Sequence, residues 1–581
     1  MSNGRSLAAE QSMDLVSHTI KVGGAELPAA VQVASIAIQK ELNRIPYAKI
    51  TVLDGDPASA DFSLSNESIF LPGQEIEIAL GYHASTETVF KGIITSQRIR
   101  IREGGSQLLV ECRDKATKMT LRKRSGYYYD SKDSEVIESL ITRNRLASEV
   151  SDTGYAHAEL VQFDCTDWDF MVARAQANGM LCAVDGGKIT ISGPDLTQES
   201  LGTASFGNNI LEFDADLDGR NQFSGINAIG WSLADQKVTI QEGSDPNLAL
   251  NGNLSAADIA DAMGIGTLEL RHGGKLSEAQ LQEWADAKWL FQQLAKIRGR
   301  VRIQGVSHVN PGSMIALEGV GDRFSGKVFV SGVSHRYAEG SWILDIQFGI
   351  NPEWFTDTYA IHSAPAAGLY ASVKGLQTGL VTQLGDDPEG EDRILVRIPI
   401  VNEEEQGIWC RLTCLDAGKD RGAFFRPEIG DEVIVGFINE DPNQGIVLGM
   451  VHSSANPTPV PASDDNHEKG YVSRDGLRLI FDDDKKSILL ETPGGKRIHV
   501  NEDEGIATME DEHGNKVVLS ESGISVESEK DISVKSAGDI VLEGNNVTVK
   551  AQQQATMEGG AGAEVSTSGT AVLKGSLVQI N

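Results

Sequence analysis

Gly523-Ile-Ser-Val-Glu-Ser-Glu-Lys530 opens a stretch that repeats itself to the last residue: GISVESEK, DISVKSAG, DIVLEGNN, VTVKAQQQ, ATMEGGAG, AEVSTSGT, AVLKGSLV, QIN, residues 523–581. Each unit sets two apolar residues two positions apart: Ile524/Val526, Ile532/Val534, Ile540/Leu542, Val547/Val549, Ala555/Met557, Ala563/Val565, Ala571/Leu573 and Val578/Ile580. The period is eight, with two steps of seven. Such alternation puts both members of a pair on one face of a strand. A unit this small cannot bury its own apolar face, and single-chain solenoids close with coils of roughly twenty residues. Three chains wound together would supply the missing sides and pair every strand edge. The repeat therefore predicts a needle, a C-terminal intertwined trimeric β-helix. Its core and trimer contacts are expected at Ile524, Val526, Ile532, Val534, Ile540, Leu542, Val547, Val549, Met557, Val565 and Leu573. A disordered tail would lack the regular apolar pairs.

Upstream, residues 476–520 alternate apolar and polar, with turns at Pro493-Gly494-Gly495 and His513-Gly514-Asn515. A Pro-rich linker, SSANPTPVPASDDN (residues 453–466), precedes them. Before it, Ile394–Ile398, Ile408–Leu412, Val433–Phe437 and Ile446–Met450 read as strands of a small OB-fold barrel. The segment Ala364–Leu384 is small and polar and reads as a linker.

Residues 1–365 mix short β patterns with three helices. The strands are expected at Val31–Ile38, Ala48–Leu53, Ile76–Gly81, Val89–Ile94, Gln107–Cys112, Val301–Ile303, Met314–Leu317, Val328–Val333 and Trp342–Phe348. The helices begin near Ser134, at the box Thr166-x-x-Asp169 and at the box Ser277-x-x-Gln280; Gly299 is expected to stop the last. The pattern predicts two hub β-barrels with inserted helices. The division is 1–365 hub, 366–385 linker, 386–452 OB fold, 453–475 linker and 476–581 spike, a mainly β protein.

Composition narrows the partners. A formal net charge of −32 on 581 residues gives no field that draws in nucleic acid or anionic lipid. The basic run Lys115, Lys118, Arg122, Lys123, Arg124 is a local exception: a solvated face, or a contact to an acidic partner. The five cysteines, Cys112, Cys165, Cys182, Cys410 and Cys414, read as reduced, since no Cys-x-x-Cys pair occurs and Cys410 and Cys414 would lie ~13 Å apart on a strand. The start, MSNGRSLAAEQSMDL, lacks the apolar region of a cleavable signal, and no run reaches transmembrane length. Synthesis in the cytoplasm is expected.

Candidate chemistry is weak. Gly321-Asp-Arg-Phe-Ser-Gly326-Lys327 has phosphate-loop spacing, but Val328 holds the Ser/Thr position and a strand follows. Asp214-x-Asp216-x-Asp218 opens like a calcium loop but has Gly225 at position twelve. Gly-Val-Ser-His at 305–308 and 332–335 reads as strand, where Ser and His neighbours point apart. The acids Asp482, Asp483, Asp484, Glu502, Asp503 and Glu504 fall in turns. No His cluster of metal-ligand spacing occurs. No catalytic, cofactor or metal residues are expected.

The strings Glu41-Leu-Asn-Arg-Ile-Pro-Tyr-Ala48, Phe90-Lys-Gly-Ile-Ile94, Asp167-Trp-Asp-Phe170, Gly422-Ala-Phe-Phe-Arg-Pro-Glu-Ile-Gly-Asp-Glu-Val433, Asp441-Pro-Asn443 and Val447-Leu-Gly449 follow in order. Together with the octads they make the chain resemble the VgrG spike family of type VI secretion, with relatives in phage tails and extracellular contractile injection systems. The likeness covers nearly the whole chain. It implies a non-enzymatic central spike and baseplate hub, a homotrimer whose two barrels per chain match a six-fold Hcp-like tube. It also implies baseplate partners, transient contact with a target membrane, and a PAAR-type tip protein on Leu577, Val578, Gln579, Ile580 and Asn581. Some phage relatives carry a lysozyme before the needle, but only about 25 residues separate Val451 from Gly476, far below domain size. A cell-wall-degrading spike enzyme and a trimeric adhesion fibre are the alternatives.

Overall fold

The computed structural model describes Leu7 and residues 15–580. Asn581, the last expected tip contact, and most of the N-terminal stretch lie outside the described residues. Two compact units divide the chain: Met1–Val373 with Asn439–Pro442, and Lys374–Ile438 with Asn443–Asn581.

In the first unit each of the nine expected strands overlaps an observed one, most with longer bounds, while Val31–Ile38 is found as Val33–Glu41. One hydrogen-bonded path runs Glu212–Leu217, Ile297–Gln304, Ser341–Phe348, Gly326–Ala338, Val33–Glu41, Tyr47–Leu53, Gly105–Arg113, Ser85–Arg102, Glu75–Tyr82, Val16–Val22, Ala25–Glu26. Thr203–Ser205 and Met314–Glu318 branch from it. Two cores lie along this path. Ile36, Ile50, Ile78, Phe90 and Val110 fill one, and Val301, Ile315, Val330, Leu344 and Ile346 the other. The two expected barrels are thus not separate sheets: Gly332 pairs with Glu41 and Ala338 with Ser35, joining the halves through Gly326–Ala338.

Helices Asp133–Arg143 and Asp167–Ala177 pack over a third core of Ile137, Leu140, Met171, Val172 and Ile191. Thr166 caps the second, its Oγ1 accepting from the Asp169 N–H at 3.1 Å. The helix Glu278–Leu294 opens on a full capping box, Ser277 Oγ accepting from the Gln280 N–H and Gln280 Oε1 from the Ser277 N–H. Gly299 does not stop it. The helix ends at Leu294, and Gly299 lies inside a strand. A Cβ there would come within 2.4 Å of the Asp214 carbonyl oxygen and 2.6 Å of the Phe348 ring. The glycine serves close approach of two strands, not helix termination.

In the second unit, Gln377–Gln383, Ile394–Arg397, Ile408–Leu412, Gly445–Met450 and Glu432–Phe437 close a five-stranded barrel. Val381, Val396, Cys410, Val433, Val435 and Val447 fill it. Its first strand falls inside the expected 366–385 linker. With only Leu380 and Val381 apolar and large, Gln377–Gln383 carries little local strand signal.

Beyond the barrel, Glu468–Val472, Arg478–Asp482, Ser487–Glu491, Arg497–Asn501, Ile506–Glu510, Lys516–Ser520 and Gly523–Glu527 form one antiparallel meander. The expected 453–475 linker therefore contains a strand. Residues 476–527 pair within the chain instead of beginning a β-helix. Turns of two to five residues let the chain reverse, most of the longer ones with a glycine at positive φ, among them Gly495, Gly505 and Gly514.

Candidate functional site

The registers of the meander sort its side chains into columns. On one face Tyr471, Leu479, Leu490, Ile498, Met509, Val517 and Val526 stand side by side across the seven strands. Next to them run Lys469, Phe481, Ile488, Val500, Ala507, Leu519 and Ile524. Thirteen of these fourteen side chains are apolar or aromatic, and most are exposed; Ile498 is 42% and Met509 55% accessible. A groove of about 670 Å³ opens over Leu490, Ile498, Met509 and Val517, with Ile532 also on its wall. A two-column face of this extent, charged only at Lys469, exceeds what soluble monomers ordinarily expose.

The opposite face is built otherwise. Arg478, Glu491, Arg497, Glu510, Lys516 and Glu527 form a column that alternates in sign at every strand. Arg478 reaches Glu491 at 3.6 Å, Arg497 contacts Glu510, and Lys516 reaches Glu510 at 3.8 Å. Ile480 is buried on this face.

The apolar pairs run on without a break. Their first members fall at 479, 488, 498, 507, 517 and 524, then 532, 540 and 547. Only the spacing changes, from nine or ten to seven or eight. Backbone pairing does not continue: past Glu527 no strand forms among the described residues, and 529–580 are exposed throughout. Of the expected core, Ile524 and Val526 lie in the last strand. Ile532, Val534, Ile540, Leu542, Val547, Val549, Met557, Val565 and Leu573 lie in the exposed stretch, as do Leu577, Val578, Gln579 and Ile580. Sequence reasoning missed that the apolar face begins near Tyr471. The nine- and ten-residue steps hid it from an eight-residue template.

The remaining candidates resolve into structural roles. Asp218 is buried and accepts from Arg220 at 2.8 Å and Arg298 at 3.3 Å. The bonds from Arg220 hold its carboxyl at about 2, against a smaller opposing effect of burial. Asp214 accepts from Arg300 at 2.9 Å. Gly326-Lys327 open a strand, as expected. Gly305–His308, expected in a strand, lies in the loop after Gln304, where the Ser307 hydroxyl bonds the Glu87 carboxylate. His335 is buried in Gly326–Ala338, and burial, with the nearby Lys40 charge, lowers its pKa to about 3. The five cysteines are free. Among the described residues no group of three or more His, Cys, Asp or Glu could hold a metal ion. Among them, too, no helix is long and apolar enough to cross a membrane.

The recurring strings also have structural work. Asn43, at φ +59°, donates its N–H to the Cys182 carbonyl at 2.7 Å, and its Oδ1 accepts from the Cys182 N–H at 2.8 Å. Buried Asp167 accepts from Arg143, Asn144 and Gln162 at 2.6, 2.9 and 3.0 Å.

Comparison with known proteins places this architecture. The family model described as the Alg8 N-terminal domain matches residues 12–339, more than half of the chain. That of the type VI secretion system/phage-baseplate injector OB domain matches residues 377–452. The type VI secretion system spike protein VgrG1a of Pseudomonas aeruginosa is 27% identical over 193 residues, 30% of this chain and 29% of that protein. The spike protein VgrG3 of Vibrio cholerae is 32% identical over 88 residues, 13% of this chain and 9% of that one. The chain spans under a third of the length of these curated relatives. Among solved structures, a tail protein from Neisseria meningitidis overlaps 59% of this chain and 99% of its own, at 17% identity and a TM-score of 0.43. With that region ahead of an injector OB barrel, the chain belongs to the family of the Alg8 N-terminal domain and is similar to the VgrG spike proteins of type VI secretion.

Proposed function

We propose that this chain is the central spike and baseplate hub of a contractile injection system, acting as a homotrimer without catalysis of its own. The observation that carries the reading is the two-column apolar face over Leu479–Val526, continued by the octad pairs. Three such faces turned to one axis would remove them from water and leave the charged columns outside.

The two stretches would meet their copies differently. The meander has its backbone bonds within the chain, so its copies would touch through side chains. Past Glu527 the octads pair with no strand among the described residues, and their strands would pair between chains as an intertwined β-helix. In the hub, two cores per chain would give six repeats around a trimer, suited to a six-fold tube of Hcp-like subunits. Leu577, Val578, Gln579 and Ile580, with Asn581, would form the blunt end that takes a PAAR-type tip protein before contact with a target membrane. The division into hub, OB barrel and needle follows the boundaries given above, with the barrel begun at Gln377 and the needle face extended back to Tyr471. Assembly in the cytoplasm and delivery by the contracting particle complete the reading.

Light scattering on the purified full chain tests it. The expected mass is three times 62.4 kDa; a stable particle of 62.4 kDa at micromolar concentration overturns the reading.

A further inference from the structure

We infer that the outer face of the two-stranded ribbon Lys123–Lys132 and Ala156–Thr166 is a contact surface for a second copy of this chain, an inference that rests on the trimeric reading above. The ribbon is a sheet of two strands, so both its long edges are unpaired among the described residues. Its inner face is committed: Tyr128 stacks on Phe170, and Gln162 is buried. Its outer face is not. Tyr127 lies opposite Val161, Tyr129 opposite Glu159, and the rings of Tyr127 and Tyr129 stack at 6.3 Å. The register slips between Gln162 and Cys165, where Asp164 takes φ +40° and donates its N–H to Ser125 Oγ at 3.1 Å. Phe163 stands exposed at this bulge, 71% accessible, and Tyr127 is 70% accessible.

Such a surface has the composition of an interface centre, where Tyr, Phe and Arg are enriched. Charge selects the occupant. Lys115–Arg124 holds five basic residues and no acid, in a chain with 83 acidic and 51 basic residues. Lys115, Lys123 and Arg124 are engaged with Glu75, Asp164 and Asp167. Lys118 and Arg122 stand exposed in the same run, beside Leu121, which is also exposed, and Lys123 at its end opens the ribbon. The acidic excess elsewhere on a copy of this chain complements that run, and a shared axis would hold the copy near it at high effective concentration.

A photo-reactive benzoylphenylalanine replacing Tyr129, and separately Phe163, in the full chain tests this. Both side chains are exposed, so the substitutions leave the fold alone. On irradiation of the purified assembly, covalent chain-to-chain products are expected on a denaturing gel. The double variant Lys118→Glu with Arg122→Glu should lower their yield about fivefold or more. An assembly of trimer mass that gives no chain-to-chain product at either position overturns the ribbon contact alone. A chain that remains at monomer mass overturns the trimeric reading and the contact with it.

Discussion

The rings of Phe425 and Tyr471 lie 4.7 Å apart, tilted by 54°, and join a loop of the five-stranded barrel to the first strand of the meander. Close by in sequence, Arg474 bonds Glu428 at 2.8 Å. The string around Gly422–Val433 thereby reaches the first strand of the meander and the turn after it. A double-mutant cycle of Phe425→Ala and Tyr471→Ala should give a coupling of about 0.5–1.5 kcal/mol in denaturant unfolding. Strictly additive single effects would deny the contact a role.

The two faces of the meander should respond to charge in opposite ways. Met509→Asp or Ile498→Asp puts an unpaired carboxylate in the apolar columns and should reduce the particle to monomers by light scattering. Arg497→Gln, on the charged column, should leave the mass unchanged and cost under about 1 kcal/mol, as expected of an exposed pair.

Buried Asp133 gathers a network in the hub. It accepts from Arg174 Nε at 2.6 Å, contacts His157 Nε2 at 2.9 Å and accepts from Asn178 at 2.9 Å. Burial pushes its carboxyl up, but the bonds and charge of Arg174, with His157 and Asn178, outweigh that and hold it below the usual range. The stabilisation is present above the ordinary carboxylate pKa and is lost as pH falls through the lowered folded value. Asp133→Ala should destabilise the hub by about 3 kcal/mol at pH 7, seen as a lower urea midpoint.

His335 works at higher pH. Its folded pKa, lowered to about 3 by burial and the Lys40 charge, lies below the ordinary 6.5 of the unfolded chain. Between the two values the unfolded state takes up a proton that the native state refuses, so stability falls as pH drops from 6.5 toward 3. His335→Phe should flatten the urea midpoint over that window. An unchanged slope would assign the acid sensitivity elsewhere.

Local chemistry was legible in the sequence, and long-range pairing was not. Thr166 and Ser277 announce their helices because a cap is read within four residues. The later four barrel strands and the octads announce themselves by their apolar patterning, whereas Gln377–Gln383 does not. The join of Gly332 to Glu41 has no local signal, since the partners are 291 residues apart (332 − 41). Gly299 misled because glycine next to a helix end and glycine under a crossing strand look alike in one dimension. The Asp133 network was invisible for a similar reason: its partners lie 24 to 45 residues away. Of the candidate site, the apolar pairs were legible and their extension back to Tyr471 was not, because turns of variable length broke the period.

The column Arg478, Glu491, Arg497, Glu510, Lys516, Glu527 holds three positive and three negative side chains, each beside its opposite. Its field cancels within a few ångströms, and what remains is screened over about 8–10 Å in physiological salt. On the trimeric reading proposed above, this column would lie outermost and give a charged surface little to hold or to repel. The chain's net negative charge is carried at other positions, and along this column the charges balance strand by strand.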